Sequence, residues 1–198
     1  MKSLKKIFIF PLLFTPYLKT PFRQKFLSEE LQSKEDISKY IIEKDSDQID
    51  LYVEKSTLPN PSIGLGLFAK REFEEGELLG EYRGPIIKVE DAELEEFNDE
   101  TKMLQVNDKF IIIGKSIVSY ANDCVEIQLK KFMTEEYNEW IEKKAFPNYE
   151  GCEYNAHLRF LGNKAFLFTT KEILIGQEIF LDYGFDYWKN FYENSFKT

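Results

Sequence analysis

The side chains able to do chemistry in this chain are few and far apart. Near its end, Gly176 to Trp188 reads GQEIFLDYGFDYW, where a short apolar run, Ile179 to Leu181, leads into Asp182-Tyr183-Gly184. A glycine at that point gives the backbone freedom for a sharp exit and leaves one phenol at the mouth of a strand. The alternative is a core tyrosine beside a turn. Far upstream, Ser62 to Gly84 reads SIGLGLFAKREFEEGELLGEYRG, with Gly64-Leu65-Gly66 ahead of a strand, a turn at Gly76-Glu77, and Tyr82-Arg83-Gly84 ending a second strand. Between these ends lies Tyr120-Ala121-Asn122-Asp123-Cys124, and Asn155 opens another strand before a turn at Gly162-Asn163. An amide both donates and accepts hydrogen bonds, and a glycine lets backbone approach a ligand closely. Because Gly64 and Gly66 precede a strand rather than a helix, a phosphate-binding dinucleotide loop is not expected.

Metal and nucleic-acid chemistry are disfavoured by composition. The chain has 2 Cys and 1 His, too few for a Cys-rich zinc cluster. Cys124 and Cys152 either pair or remain free, and a buried free thiol is the expectation for an intracellular protein. His157 shares its phase with Asn155 and Arg159 along a strand, as a surface or supporting side chain would. The formal charge is −9, and residues 1–28 hold six Lys or Arg and no acid. Subtracting those six leaves −15 for the rest. An acidic body repels phosphate backbones and attracts a basic protein or peptide.

The elements that must position these groups read from the pattern. With 198 residues, 43% of them apolar, there is room for one core and a tail. Residues 1–28 are basic with an apolar run from Ile7 to Phe14, interrupted by Pro11 and well short of the ~20 residues needed to span a bilayer. They read either as a targeting leader, for secretion or an organelle, or as a tail outside the fold. Residues 29–50 read as an amphipathic helical extension, over 29–44, and a linker. The main domain is placed at 51–190, followed by a tail at 191–198. Within it, Val89 to Phe97 is acidic and helix-like, and Met103 to Val106 with Phe110 to Ile113 predicts a hairpin around Asn107-Asp108. Glu135 to Lys143 predicts a helix capped by Thr134, with Tyr137, Trp140 and Ile141 inward. Tyr154, Ala156, Leu158 and Phe160 alternate with Asn155, His157 and Arg159 as in a half-buried strand, which the Gly162-Asn163 turn returns into Ala165 to Phe168.

The ordered set GxG, YxG, Asn-Asp and DYG resembles the SET-domain protein lysine methyltransferases, over about residues 52 to 188. The chain is most similar to the subgroup with Asn-Asp in place of Asn-His and an insertion after it, here 125–152, while 85–115 matches the substrate-side insert. The resemblance implies a SET β-fold: mainly β with short helices (α+β), several small sheets, and a knot-like threading of the C-terminal stretch near Asn122. It implies S-adenosylmethionine-dependent transfer of methyl groups to a protein lysine, histone or other, without a metal. A catalytically degenerate SET-like binding module is the alternative.

Residue by residue, the resemblance makes Tyr183 catalytic, its hydroxyl orienting methyl and amine. Gly64, Leu65, Gly66, Asn122, Asp123, Tyr183 and Trp188 are expected at the cofactor, with Asp123 accepting from the adenine amino group and Trp188, Phe185 and Tyr187 offering an aromatic face. Tyr82, Tyr120, Leu181 and Phe185 are expected along the lysine channel. Leu181 stands where many members carry Phe or Tyr, which implies room for more than one methyl group. Asn155 is expected to hold a crossing of segments. An intracellular location, in nucleus or cytoplasm, is the expectation unless residues 1–28 direct the chain elsewhere.

Overall fold

The computed structural model describes residues 50–92 and 102–195. The predicted helix at 29–44, most of the acidic segment at 89–97, and the leader lie wholly or partly outside them. Among the described residues, nine short strands form three antiparallel three-stranded sheets, with two α-helices and several 3-10 turns. This is the mainly-β fold with short helices expected from the sequence.

The first sheet orders β1 (Leu51–Lys55), β2 (Leu65–Ala69) and β9 (Glu178–Ile179). Strand β2 lies between its partners, and four of its five residues are buried, as expected of a near-continuous apolar run in a central strand. The second sheet orders β3 (Leu78–Tyr82), β8 (Lys164–Thr169) and β7 (Ala156–Leu161). The third orders β4 (Ile86–Lys88), β6 (Phe110–Ile113) and β5 (Met103–Gln105), which includes the hairpin predicted around Asn107-Asp108. Asn107 Oδ1 closes that hairpin by accepting from the amides of Lys109 and Phe110.

Helix α1 (Glu135–Lys143) starts where predicted, with the Thr134 hydroxyl accepting from the Tyr137 amide. Tyr137 and Trp140 are buried and meet Tyr192 of helix α2 (Phe185–Asn194) at ring distances of 5.6 and 6.1 Å. Phe146 stacks on Tyr192 at 5.2 Å. The 125–152 insertion therefore packs against the C-terminal helix through an aromatic cluster. Its ends are tied by a Cys124–Cys152 disulfide, which corrects the expected free thiol. The Val125 and Asn148 backbones form a bridge between the two cysteines and bring them together.

One strand position also departs from the alternation. Asn155 is 1% exposed because its amide is the lock of the crossing: Nδ2 donates to Glu178 O at 2.9 Å, and Oδ1 accepts from the Phe180 amide at 2.8 Å. The segment Phe180–Leu181 is thereby held beside two others, bridging in parallel to Asn122 and to Ala156. The main apolar cluster, including Leu51, Leu67, Tyr82, Ile112, Val118, Leu167, Ile179 and Leu181, lies beneath this junction. No helix among the described residues is long and apolar enough to cross a membrane.

Candidate functional site

The crossing brings three distant stretches together. Gly64 has φ of +78°, a conformation for which glycine is suited, and it delivers Leu65-Gly66 into β2. At Gly66 the need is for space: a Cβ there would fall 2.1 Å from Glu178 Oε1 and 3.2 Å from Asn122 Nδ2. The close approach at this glycine is thus to the chain's own Glu178 and Asn122. Asn122 donates from Nδ2 to Leu65 O at 3.0 Å and to Glu178 Oε1 at 3.1 Å. Its carbonyl accepts from the Leu181 amide at 2.8 Å. One residue earlier, Ala121 O accepts from the Tyr183 hydroxyl at 2.8 Å. Gly66, Asn122 and Tyr183 therefore converge.

Glu178, which the motif reading passed over, is the hub on the inner side. It is 3% exposed. Oε1 accepts from Ser56 Oγ at 2.7 Å as well as from Asn122, and Oε2 accepts from the Thr57 amide at 2.7 Å and the Thr57 hydroxyl at 2.5 Å. Four donors fill the acceptor capacity of one carboxylate. The signal in the sequence was a charged residue directly before the buried Ile179, in a strand too short to alternate.

Asp123, expected at an adenine amino group, is instead committed inward. It is 5% exposed. Oδ1 accepts from the Val125 amide at 2.9 Å and the Tyr154 hydroxyl at 2.8 Å, and Oδ2 from the Tyr183 amide at 2.6 Å and Trp188 Nε1 at 3.0 Å. Burial raises its carboxyl above the usual carboxylate range, opposed by these hydrogen bonds. Trp188, expected to stack on adenine, is 6% exposed; its indole N–H needs a buried acceptor and finds Asp123. Phe185 stacks on Phe146 at 5.5 Å, on the side of the insertion.

The phenols form the outer side. Tyr183 remains 37% exposed, as does Tyr187, and their rings meet edge to face at 4.9 Å. Burial around the Tyr183 hydroxyl, with Tyr187 and Asp123 nearby, pushes it well above the ordinary tyrosine value. Burial pushes Tyr187 up to about 12. Tyr82 sits in the core at 8% exposure and donates to Lys102 O at 3.0 Å. Leu181, at 8% exposure, belongs to the same apolar cluster, and Tyr120 packs against it. Lys102 Nζ lies over the Tyr120 ring at 2.9 Å from its centre, a cation on an aromatic face. Leu65 is 49% exposed. His157 accepts from Arg159 Nε at 2.8 Å.

The group in this arrangement suited to a cationic amine is an amide oxygen. Among the described residues nothing donates to Asn122 Oδ1, so one acceptor stands open beside the exposed Leu65 and the half-exposed Tyr183. The family model of the SET domain matches residues 64–184. Among solved structures, a chain of an active polycomb repressive complex 2 in the basal state is similar with a TM-score of 0.49 and 20% identity, covering 68% of this chain and 15% of that one. A chain of ctPRC2, in an autoinhibited conformation bound to S-adenosylmethionine, gives 0.47 and 18%, with the same coverage of 68% and 15%. This chain thus spans about 15% of the length of either. No curated protein sequence matches it.

Proposed function

This chain belongs to the SET domain family, and from that premise we propose that it is an S-adenosylmethionine-dependent methyltransferase acting on the side-chain amine of a protein lysine. The observation that carries the reading is the convergence of Gly66, Asn122 and Tyr183 from stretches 56 and 61 residues apart in sequence. When bound, S-adenosylmethionine supplies a methyl group on a positive sulfur, open to in-line displacement by a neutral amine.

Asn122 Oδ1 and the Leu65-Gly66 backbone would hold the cofactor, with Tyr183 and Tyr187 flanking it. Asp123 and Trp188 serve from behind, fixing the Tyr183 backbone through the Asp123 carboxylate. A phenol with an ordinary pKa of ~10 is protonated at neutral pH and burial raises Tyr183 further, so its hydroxyl keeps its proton for Ala121 O and offers lone pairs to an incoming amine. A free lysine, with a pKa of ~10.4, arrives charged. Tyr82, Leu181 and Tyr120 supply apolar surroundings that disfavour that charge and so favour loss of the proton. Orientation then does most of the remaining work, up to ~7–11 kcal/mol for well-aligned partners. The acidic body, −15 outside residues 1–28, favours a basic protein or peptide as the methyl acceptor.

The test is transfer of labelled methyl from S-adenosylmethionine to lysine-rich peptides and to a protein extract, by wild type and by Tyr183→Phe. Labelling by wild type and its loss in the variant is the expected result. Equal labelling by both would remove Tyr183 from its role. Cofactor binding without any labelling would favour the binding module over the enzyme.

A further inference from the structure

We propose that Glu178 is a positioning residue: it fixes the rotamer and the amide face of Asn122, so that only the Oδ1 acceptor is offered to a ligand. The proposal rests on the methyltransferase reading for its ligand but not for its geometry. Asn122 has two acceptors within reach of one end of its amide, Leu65 O at 3.0 Å and Glu178 Oε1 at 3.1 Å. An NH2 group satisfies both, whereas an amide oxygen turned to that side would face two other oxygens. The assignment of N and O in Asn122 follows from this chemistry.

Glu178 holds its own position through three further donors just beyond β1: Ser56 Oγ, the Thr57 amide and the Thr57 hydroxyl. It is almost wholly buried, at 3% exposure, and Gly66 leaves the space that its Oε1 fills, since a Cβ at residue 66 would lie 2.1 Å away. The side chain of residue 178 thus joins β1, β2 and the Asn122 segment at one point. Leu65 O alone would hold the amide by a single hydrogen bond against rotation about Cβ–Cγ, a broad torsion with little preference of its own. With Glu178 present, a flip costs two hydrogen bonds and creates two repulsive contacts.

Glu178→Gln separates positioning from bulk. The replacement keeps shape and volume but can accept at only one end. The Thr57 amide cannot rotate to accept, so the carboxamide oxygen stays with Thr57 and the NH2 faces Asn122. Asn122 then has no orientation that satisfies both neighbours, since Nδ2 inward meets the new NH2 and Oδ1 inward meets Leu65 O, so the acceptor is no longer held outward for the ligand. Calorimetric titration with S-adenosylhomocysteine, the demethylated product, is expected to show about 10- to 100-fold weaker binding for Glu178→Gln, the loss typical of a hydrogen bond to a charged group. Ser56→Ala loses one anchor of Glu178 without releasing the amide; it lowers the melting temperature but leaves that affinity within about twofold. In an Asn122→Ala background Glu178→Gln is expected to add no further loss, as for residues acting through one another.

A second readout needs no ligand. In the wild type, both Nδ2 protons of Asn122 are expected to exchange with solvent more slowly than those of Asn60, and their resonances to move in Glu178→Gln but not in Ser56→Ala. Equal affinities of wild type and Glu178→Gln, an additive loss in the double variant, or unprotected Asn122 amide protons would each overturn the proposal. If Glu178→Gln does not fold, the wild-type exchange rates decide. If the wild type binds no product at all, the methyltransferase reading fails while the exchange experiment still decides the role of Glu178.

Discussion

Replacement of Asp123 tests whether this carboxylate is an internal clamp. In Asp123→Asn, the amide oxygen can keep the Tyr183 amide and Trp188 Nε1, which have no other acceptor among the described residues, while Nδ2 takes the place of Oδ1. There the Tyr154 hydroxyl can rotate to accept, leaving the Val125 N–H alone without its partner. One stranded buried donor costs about 1–3 kcal/mol, less whatever is recovered by no longer burying a charge. In Asp123→Ala three N–H groups are stranded, those of Val125, Tyr183 and Trp188, while the Tyr154 hydroxyl keeps Asn148 Oδ1 at 3.3 Å. The sum is about 3–9 kcal/mol, comparable with the ~5–15 kcal/mol total stability of a domain. Since 1 kcal/mol shifts the melting temperature of a chain this size by ~2–4 °C, the Asn variant should melt at most about 2–12 °C lower. The Ala variant should lose at least twice as much or not fold. Calorimetric melting of the purified proteins measures both.

The same pair has a pH dependence. Burial sets the folded pKa of Asp123 above its ordinary 3.8, so between these values the folded state binds the proton that the unfolded chain has released. Its contribution is therefore present in full below 3.8 and lost as pH rises through the raised value. The stability advantage of wild type over Asp123→Asn should be greatest in acid and shrink toward neutrality. Equal melting of the Ala and Asn variants would refute the clamp, and an advantage that grows with pH would show that the hydrogen bonds to the carboxylate outweigh its burial.

Gly66→Ala forces a methyl group against Glu178 and should cost about 2–6 kcal/mol through overpacking and broken hydrogen bonds. Gly64→Ala meets no atom within 4 Å and should cost only the ~1–2 kcal/mol of left-handed backbone; urea unfolding of the two variants gives the order. Ultraviolet titration should find Tyr82, Tyr154 and Tyr183 protonated when exposed tyrosines have ionised near ~10, because burial raises all three. Raised phenol pKa values stabilise the fold below ~10 and lose that effect as pH climbs through the folded values, so these tyrosines should ionise together with alkaline unfolding. Reduction of Cys124–Cys152, which closes a loop with a sequence separation of 28, should cost about 3–4 kcal/mol on the chain-entropy account; melting with and without reductant reads it.

What could be read from the sequence was what local pattern controls. The hairpin at Asn107-Asp108, the Thr134 cap and the strand returning at Gly162-Asn163 each declare themselves within a dozen residues, and they form as read. Asn122, Gly66 and Tyr183 were singled out as motifs, and their meeting depends on Asn155 locking segments 23 to 25 residues away. The side chains behind them were not legible. Glu178 looks like a solvent-facing acid, and only the donors of Ser56 and Thr57, 122 and 121 residues away, make its burial possible. The resemblance put Asp123 and Trp188 at the cofactor, one as an acceptor and the other as an aromatic face. Each instead satisfies the other, a choice that depends on the return of the C-terminal segment past Asn122. The disulfide was open for the same reason, since the path of the insertion between Cys124 and Cys152 decides whether the thiols meet.

The central claim is that Gly66, Asn122 and Tyr183 form one pocket for a sulfonium cofactor. Calorimetric titration of the full chain with S-adenosylmethionine tests it most directly. Saturable heat with one site, abolished or strongly weakened in folded Asn122→Ala, is the predicted result. No heat at millimolar cofactor, or undiminished binding by Asn122→Ala, would contradict it.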